Sequence, residues 1–235
     1  MGNDPTPARP TPVSIERKLT TILSADVQGF SRLIGEDEEA TLRTLQSYRE
    51  VTDTLIQQHW GRIVGTAGDS VLAEFVSVVD AVRCAVEIQQ QLKARNADLP
   101  AHRRMEFRIG INLGDVMVDG DQIYGDGVNI AARLQALADA GGICIAGSVY
   151  DQIKNKLVLT YEDLGEQQVK NIAEAVRVWR IRLEESESPK SQVPSPKLRR
   201  VGAAHLSWVV AGLVLIAGTV VAIRYLTRPP LSTQD

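Results

Sequence analysis

The chain has 235 residues, 44% of them hydrophobic and 23% charged, and its 26 basic and 29 acidic side chains give a formal net charge of −3. These ordinary values exclude a disordered tail protein, a collagen-like repeat and a polytopic membrane protein. A near-neutral chain lacks the basic surface that a phosphate backbone requires, so we expect no nucleic-acid partner. Cys84 and Cys144 are far apart in sequence, which indicates neither a zinc site nor a disulfide framework.

Composition divides the chain into five segments. Residues 1–17 are proline-rich and have no apolar periodicity, so we predict a disordered arm. Residues 18–183 carry strand and helix patterns that are dense enough for one domain. Residues 184–205 are charged and rich in Ser and Pro, which is typical of a linker. An apolar run at 206–226 and a short tail at 227–235 follow.

The apolar run is the one segment whose composition suits a bilayer. Residues 206–223 contain no ionisable side chain and would form a helix about 27 Å long at roughly 1.5 Å per residue. A buried amphipathic helix is the alternative, but it would carry a polar stripe. More Lys and Arg residues precede the run than follow it, so we expect the large domain to stay in the cytoplasm. The pattern predicts a single transmembrane helix.

Within residues 18–183, hydrophobic periodicity predicts strands and helices in alternation. The GTAGDS stretch separates two short apolar runs and predicts a hairpin turn. The predicted strands are 19–27, 62–64, 71–75, 107–118, 142–146, 158–161, 166–170 and 176–181, and the predicted helices are 36–60, 78–95 and 128–138. This order is typical of an α+β, ferredoxin-like split βαβ sheet with helices on one face.

Two acidic residues stand at the ends of predicted elements. Asp26 ends the first predicted strand and Asp69 lies in the predicted hairpin turn. If the two strands are neighbours, both carboxylates project from one edge and form, with backbone carbonyls, a hard oxygen site that suits Mg²⁺. Alternatively, Asp26 is a helix cap and Asp69 an ordinary turn residue.

A second polar pair lies near the start of the last predicted helix. Asn129 and Arg133 are four residues apart and therefore share one helix face. A planar amide beside a guanidinium can hold a sugar oxygen and stabilise negative charge on a phosphoryl group. The alternative is a solvated polar face opposite the apolar side of the helix.

Five stretches resemble, in order and spacing, the catalytic domain of the class III nucleotidyl cyclases, especially the bacterial membrane-associated members. They are SADVQGFSRL, GTAGDSVLAEF, FRIGINLGDV, YGDGVNIAARL and LGEQQVKNIAEAVRVWRI, and the resemblance extends over residues 18–183. The resemblance implies an adenylate cyclase that converts ATP to 3′,5′-cyclic AMP and pyrophosphate. It also implies two Mg²⁺ or Mn²⁺ ions and a head-to-tail homodimer with shared sites. From the apolar run and its flanking Lys and Arg residues we expect a cell inner membrane location with the catalytic domain cytoplasmic.

The resemblance also assigns roles to single residues. Asp26 and Asp69 would hold the metals, together with the backbone carbonyl of Val27. Asn129 would orient the ribose, and Arg133 would stabilise the charged α-phosphoryl group in the transition state. Little covalent chemistry is then left to the protein, so positioning and electrostatics dominate.

Three further positions concern the nucleotide. Lys170, in QVKN, resembles the family's C-terminal lysine that meets the triphosphate. Gly65 stands where adenylate cyclases usually carry a purine-reading lysine, and Gln122 stands where they commonly carry Asp or Thr. Both departures leave the choice between ATP and GTP open, so a guanylate or dual-specificity cyclase is an alternative.

A catalytically silent cyclase-like domain, used for dimerisation or nucleotide sensing, is the alternative from a different class. Silent relatives should tend to lose the metal-binding or transition-state groups. This sequence retains all four of these residues: Asp26, Asp69, Asn129 and Arg133. The sequence therefore favours an active enzyme.

Overall fold

The computed structural model of the protein describes residues 16–170, 172 and 174–183. The chain divides into two units, residues 1–185 and 186–235, and the described residues all lie in the first. The predicted linker, apolar run and tail lie outside the described residues, as does the predicted arm up to residue 15. Among the residues described, no helix is long and apolar enough to cross a membrane.

The described part of the chain contains eight strands and five α-helices. The strands are β1 (Glu16–Val27), β2 (Gly61–Ala67), β3 (Ser70–Phe75), β4 (Phe107–Asp119), β5 (Gln122–Tyr124), β6 (Ile143–Ala146), β7 (Thr160–Gln167) and β8 (Val176–Arg182). The α-helices are α1 (Phe30–Glu36), α2 (Glu38–Gln58), α3 (Val78–Asn96), α4 (Asp126–Leu137) and α5 (Gly147–Ile153).

All eight strands belong to one sheet in the order β2-β3-β1-β4-β6-β8-β7, with β5 paired to β4. The first four strands of this order pair antiparallel, as the predicted ferredoxin-like split βαβ arrangement requires. Beyond β4, strand β6 runs parallel to it, and β8 and β7 continue antiparallel. The prediction of a mixed α+β fold is confirmed.

The prediction that the helices lie on one face is wrong. A Cβ on Gly110 of β4 would lie 2.2 Å from the carbonyl oxygen of Ala131, so this face of β4 packs directly against α4. Ile109 and Ile111 project to the opposite face, because side chains alternate along a strand. On that face the buried core holds α3, which packs against α2 and α5. Helical periodicity identifies an apolar stripe but not the sheet face that the stripe covers, which is why sequence could not separate α4 from the other helices.

Short elements account for most of the other differences from the predicted pattern. Helices α1 and α5 have seven residues each and β5 has three, which is too short for a clear period. The predicted strands 158–161 and 166–170 are replaced by the single strand β7. Strand β1 begins at Glu16, two residues before the predicted domain boundary, because Glu16 and Arg17 already pair with β4.

Buried Glu74 on β3 forms ion pairs with residues on β1 and β2. Its Oε1 lies 3.0 Å from Nζ of Lys18 on β1 and 2.9 Å from Nε of Arg62 on β2. Burial raises the pKa of Glu74, but hydrogen bonds and attraction from the two cations outweigh burial and hold that pKa below its usual range. The carboxylate therefore stays charged at neutral pH and helps to fix the register of β1, β2 and β3.

Both cysteines are buried in the core as free thiols. Burial raises the pKa of Cys84 to about 12 and that of Cys144 to about 11. Both side chains therefore remain protonated at physiological pH and pack as small apolar residues.

Candidate active site

The β2–β3 hairpin brings Asp69 to the end of β1. Gly68 and Asp69 form the two-residue turn, and Gly68 has a positive φ of 59°, which favours glycine. Oδ2 of Asp69 accepts a hydrogen bond of 3.0 Å from the backbone N–H of Val27. Since Asp26 directly precedes Val27, the structure brings together the three residues that the sequence assigns to metal binding.

Helix α2 supports this hairpin from outside. The guanidinium of Arg49 donates a hydrogen bond to the carbonyl oxygen of Gly68. That contact holds the turn in which Asp69 lies. Sequence reasoning missed Arg49, because an arginine on the polar side of a long helix carries no signal of its distant partner.

A second arginine that sequence reasoning missed, Arg108, pairs with the first carboxylate. Its Nε donates to Oδ1 of Asp26 at 3.1 Å, and its Nη2 donates to Oδ2 at 2.9 Å. The antiparallel register of β1 and β4 places the two residues directly opposite each other. Both side chains are only 21% exposed, so the ion pair is largely shielded from solvent.

The donor set at this edge fits a divalent cation. The carboxylates of Asp26 and Asp69 and the backbone carbonyl of Val27 are hard oxygen ligands, which Mg²⁺ prefers. Within the described ranges, no group of three or more His, Cys, Asp or Glu side chains could hold a metal. A site with two protein carboxylates suits Mg²⁺, which usually keeps waters and substrate phosphate oxygens among its ligands.

The two positions assigned to base reading line one cleft of about 270 Å³. Gly65 and Gln122 lie in its wall together with Ser24, which is two residues before Asp26 on β1. A Cβ on Gly65 would approach only Cβ of Leu72, at 4.0 Å, so a side chain fits there without strain. The hydroxyl of Tyr124 donates to Oε1 of Gln122, which directs the amide nitrogen away from the tyrosine.

Asn129 and Arg133 share the exposed face of α4, as their spacing predicts. The opposite face of α4 is buried and includes Gly127, Ala131 and Leu134. Neither polar side chain makes a hydrogen bond or an ion pair with another described residue. Both are therefore available to a ligand or to a second chain.

Within one chain, the first turn of α4 lies far from the carboxylates. A Cβ on Gly114 of β4 would be 3.1 Å from Cα of Gly127, so the first turn of α4 lies over this part of the sheet. Gly114 pairs with Thr20, six residues before Asp26 on β1. Six residues of antiparallel strand span about 20 Å. The helix start at Gly127 therefore lies about 20 Å along the sheet from Asp26, and no contact among the described residues joins the side chain of Asn129 to Asp26 or Asp69.

Lys170 is exposed in the connection between β7 and β8. Among the described residues, no hydrogen bond or ion pair joins its ammonium group to the other candidate residues. Its predicted contact with the triphosphate stays a prediction.

The split βαβ sheet, extended beyond β4, with Asp26 and Asp69 at the end of β1, matches the architecture of nucleotidyl cyclase catalytic domains. The chain belongs to the adenylate and guanylate cyclase catalytic domain family, whose model matches residues 14–182.

Curated relatives agree with this membership. The chain is 42% identical over 184 residues to a protein named "Putative adenylate cyclase 3" from Rhizobium meliloti (strain 1021), a match that covers 78% of this chain and 30% of the relative. It is 30% identical over 132 residues to an adenylate cyclase of Streptomyces coelicolor, covering 56% of this chain and 33% of that protein. The chain thus spans about a third of the length of these relatives.

Solved structures also share the fold. An adenylate/guanylate cyclase/hydrolase from Silicibacter pomeroyi has a TM-score of 0.69 and 42% identity, and the match covers 73% of this chain and all of that one. The adenylyl cyclase CyaB from P. aeruginosa has a TM-score of 0.65 and 25% identity, covering 74% and 98% of the two chains.

Proposed function

We propose that this domain is an active cyclase that converts ATP to 3′,5′-cyclic AMP and pyrophosphate, with two Mg²⁺ or Mn²⁺ ions and sites shared across a homodimer. The observation that carries the proposal is the hydrogen bond from Val27 N–H to Asp69, because it brings this carboxylate to the residue that follows Asp26, beside a cleft lined by Ser24 and Ser70. Asp26 and Asp69 are both retained, and Asn129 and Arg133 have no side-chain partner among the described residues, which favours an enzyme over a silent cyclase-like module.

In the proposed reaction the ribose 3′-oxygen attacks the α-phosphorus and pyrophosphate leaves. Asp26, Asp69 and the Val27 carbonyl would hold the divalent ions, whose chemistry is to lower the pKa of the 3′-hydroxyl and to neutralise phosphate charge. Asn129 would hold the ribose in line for attack. Arg133 would stabilise the negative charge that builds up on the α-phosphoryl group.

The separation between Asn129 and Asp26 supports the shared site. The helix start at Gly127 lies about 20 Å along the sheet from Asp26, and the exposed side chain of Asn129 contacts neither carboxylate among the described residues, yet Asn129 and Asp26 would both contact a single nucleotide. A second copy of the chain, facing the first, can present the exposed face of α4 to the carboxylates. A two-fold arrangement then creates two equivalent sites.

Product identification tests the proposal directly. The full chain, purified in detergent, is incubated with ATP or GTP and either Mn²⁺ or Mg²⁺, and products are identified by mass spectrometry. We expect cyclic AMP from ATP, and Arg133→Ala provides the background rate. Formation of no cyclic nucleotide from either substrate would favour the silent module, and cyclic GMP as the main product would favour a guanylate cyclase.

Selectivity between ATP and GTP should be weak in the wild-type chain. Gly65 supplies no side-chain donor, and Gln122 supplies an amide that is not matched to one purine. Combining Gly65→Lys with Gln122→Asp should raise the ATP/GTP ratio of kcat/KM about tenfold, because the wrong base then leaves polar groups unpaired. Steady-state kinetics with both substrates measure this ratio.

Gly65→Ala is the matched control for this prediction. Its methyl group fits the cleft but donates no hydrogen bond, so the ratio should stay at the wild-type value. If the wild type already rejects GTP by several orders of magnitude, some other group reads the base.

We also propose that residues 206–226 anchor the protein in the cell inner membrane, with the catalytic domain in the cytoplasm. The uncharged run and the Lys and Arg residues before it support this proposal. Deleting 206–226 should move the protein from the membrane pellet to the supernatant after ultracentrifugation. Deleting only 227–235 should leave it in the pellet. Full-length protein in the supernatant without detergent would contradict the anchor.

A further inference from the structure

Arg49 on α2 reaches the turn that carries Asp69 without bonding to the Asp69 carboxylate. Its guanidinium donates a hydrogen bond to the carbonyl oxygen of Gly68, the residue before Asp69. Oδ2 of Asp69 in turn accepts from the backbone N–H of Val27, at 3.0 Å. We propose that Arg49 is a positioning residue: it fixes the carboxylate of Asp69 through the turn and thereby lowers the metal concentration that the site needs. This inference rests on the proposed function, since it takes Asp69 as a metal ligand.

The turn has few contacts that fix its position. The β2–β3 ladder ends at the pair Ala67 and Ser70, and β2 lies at the edge of the sheet. Gly68 has a φ of 59°, and a Cβ on it would meet no atom within 4 Å, so neither its own side chain nor a neighbour restricts the turn there. Among the described residues, the side-chain hydrogen bonds that reach the turn are those of Arg49 and Asp69. The position of the Asp69 carboxylate therefore depends on them.

Helix α2 is a firm support for the guanidinium. Its inner face is buried in the core on both sides of Arg49, through Leu45 and Leu55. The hydroxyl of Tyr48, the residue before Arg49, donates to Oδ1 of Asn96 on α3 at 2.9 Å. The backbone of Arg49 is therefore fixed by core packing, and its side chain restrains the turn.

The contact leaves the carboxylate of Asp69 available to a metal. Arg49 donates to a backbone carbonyl, so it withdraws no carboxylate oxygen from a divalent ion. Oδ1 of Asp69 has no hydrogen-bond partner among the described residues. A ligand that is already held in place loses less conformational freedom when the ion binds. Residues that orient metal ligands in this way typically change metal affinity by about 10- to 100-fold.

A different role for Arg49 would be to offset the charge of Asp53, one turn further along α2. Burial raises the pKa of Asp53, and attraction from Arg49 lowers it, so the two charges interact. However, Oδ1 of Asp53 and Nε of Arg49 are both buried without a hydrogen-bond partner in the described part of the chain. The two roles predict different results for a double variant. If Arg49 only offsets Asp53, then Asp53→Asn should reverse the effect of Arg49→Gln.

Mn²⁺ titration of the full chain in detergent, followed by the electron paramagnetic resonance signal of free Mn²⁺, measures metal affinity without nucleotide or turnover. Arg49→Gln should raise the Mn²⁺ dissociation constant about tenfold, and adding Asp53→Asn should not reverse this rise. Arg49→Lys keeps a cationic donor on a flexible side chain, so it should show a smaller rise. This variant also covers the case in which Arg49→Gln fails to fold.

Arg43→Gln is the matched control, because Arg43 lies on the same helix but donates to Glu39 instead of the turn. It should leave Mn²⁺ affinity at the wild-type value. Hydrogen–deuterium exchange in chelator supplies a second readout. The backbone amides of residues 66–70 should exchange faster in Arg49→Gln than in the wild type, and at the wild-type rate in Arg43→Gln.

Three results would overturn the inference in distinguishable ways. Wild-type Mn²⁺ affinity in folded Arg49→Gln or Arg49→Lys, with binding weakened in Asp69→Ala, would refute positioning and leave the metal assignment intact. Recovery of wild-type affinity in the double variant with Asp53→Asn would show that Arg49 acts on Asp53 instead. Wild-type Mn²⁺ affinity in Asp69→Ala would show that the ion does not bind at this carboxylate, and the proposed metal site would fall together with the inference.

Discussion

Replacing Asp26 or Asp69 with alanine should abolish cyclic AMP formation. Each substitution removes one of two carboxylates from a site that has few other protein ligands, so we expect a loss of at least about a thousandfold in kcat/KM. The rate of product formation by mass spectrometry measures the loss. Excess chelator should have the same effect on the wild type.

Controls must separate lost chemistry from lost folding. Asp26→Ala leaves Arg108 without its carboxylate, and Asp69→Ala leaves the Val27 N–H without its acceptor. Each should lower the free energy of unfolding by about 1–3 kcal/mol, which circular dichroism can follow. Asp163→Ala breaks an ion pair away from the site and should keep activity. A folded alanine variant with wild-type activity would contradict the metal assignment.

Two inactive variants should recover activity when their subunits mix. The first variant, Asp26→Ala, retains Asn129 and Arg133 on α4. The second variant, Arg133→Ala, retains both Asp26 and Asp69. A mixed dimer therefore holds one intact shared site. Random pairing makes about half of the dimers mixed, so we expect about a quarter of the wild-type rate.

A second mixture serves as the matched control for this experiment. In a dimer of Asp26→Ala with Asp69→Ala, each shared site lacks one carboxylate, so no activity should return. Mixed dimers can be isolated with two different affinity tags and assayed for cyclic AMP. Absence of recovery in isolated Asp26→Ala and Arg133→Ala heterodimers would argue that each site is built within one chain.

Local features of the candidate site were predictable from sequence because they depend on short-range geometry. A turn of two residues between apolar runs sets the hairpin that carries Asp69, and a spacing of four residues puts Asn129 and Arg133 on one helix face. The ordered motifs were specific enough to identify the family, which the family match confirms. The roles of these residues in the reaction stay predictions.

Contacts between distant segments were decided only by the tertiary structure. Arg108 meets Asp26 through the register of two strands that are 82 positions apart, and Arg49 meets Gly68 across a helix–hairpin contact. Because Gly110 has no side chain, α4 packs closely on the face of the sheet opposite α2, α3 and α5. Hydrophobic periodicity does not predict this packing. Periodicity records which side of an element is apolar, whereas the strand or helix that covers that side depends on long-range pairing and packing. The sequence by itself therefore determined the family, the β2–β3 hairpin and the helix face shared by Asn129 and Arg133. Only the strand register of the folded sheet placed Arg108 against Asp26.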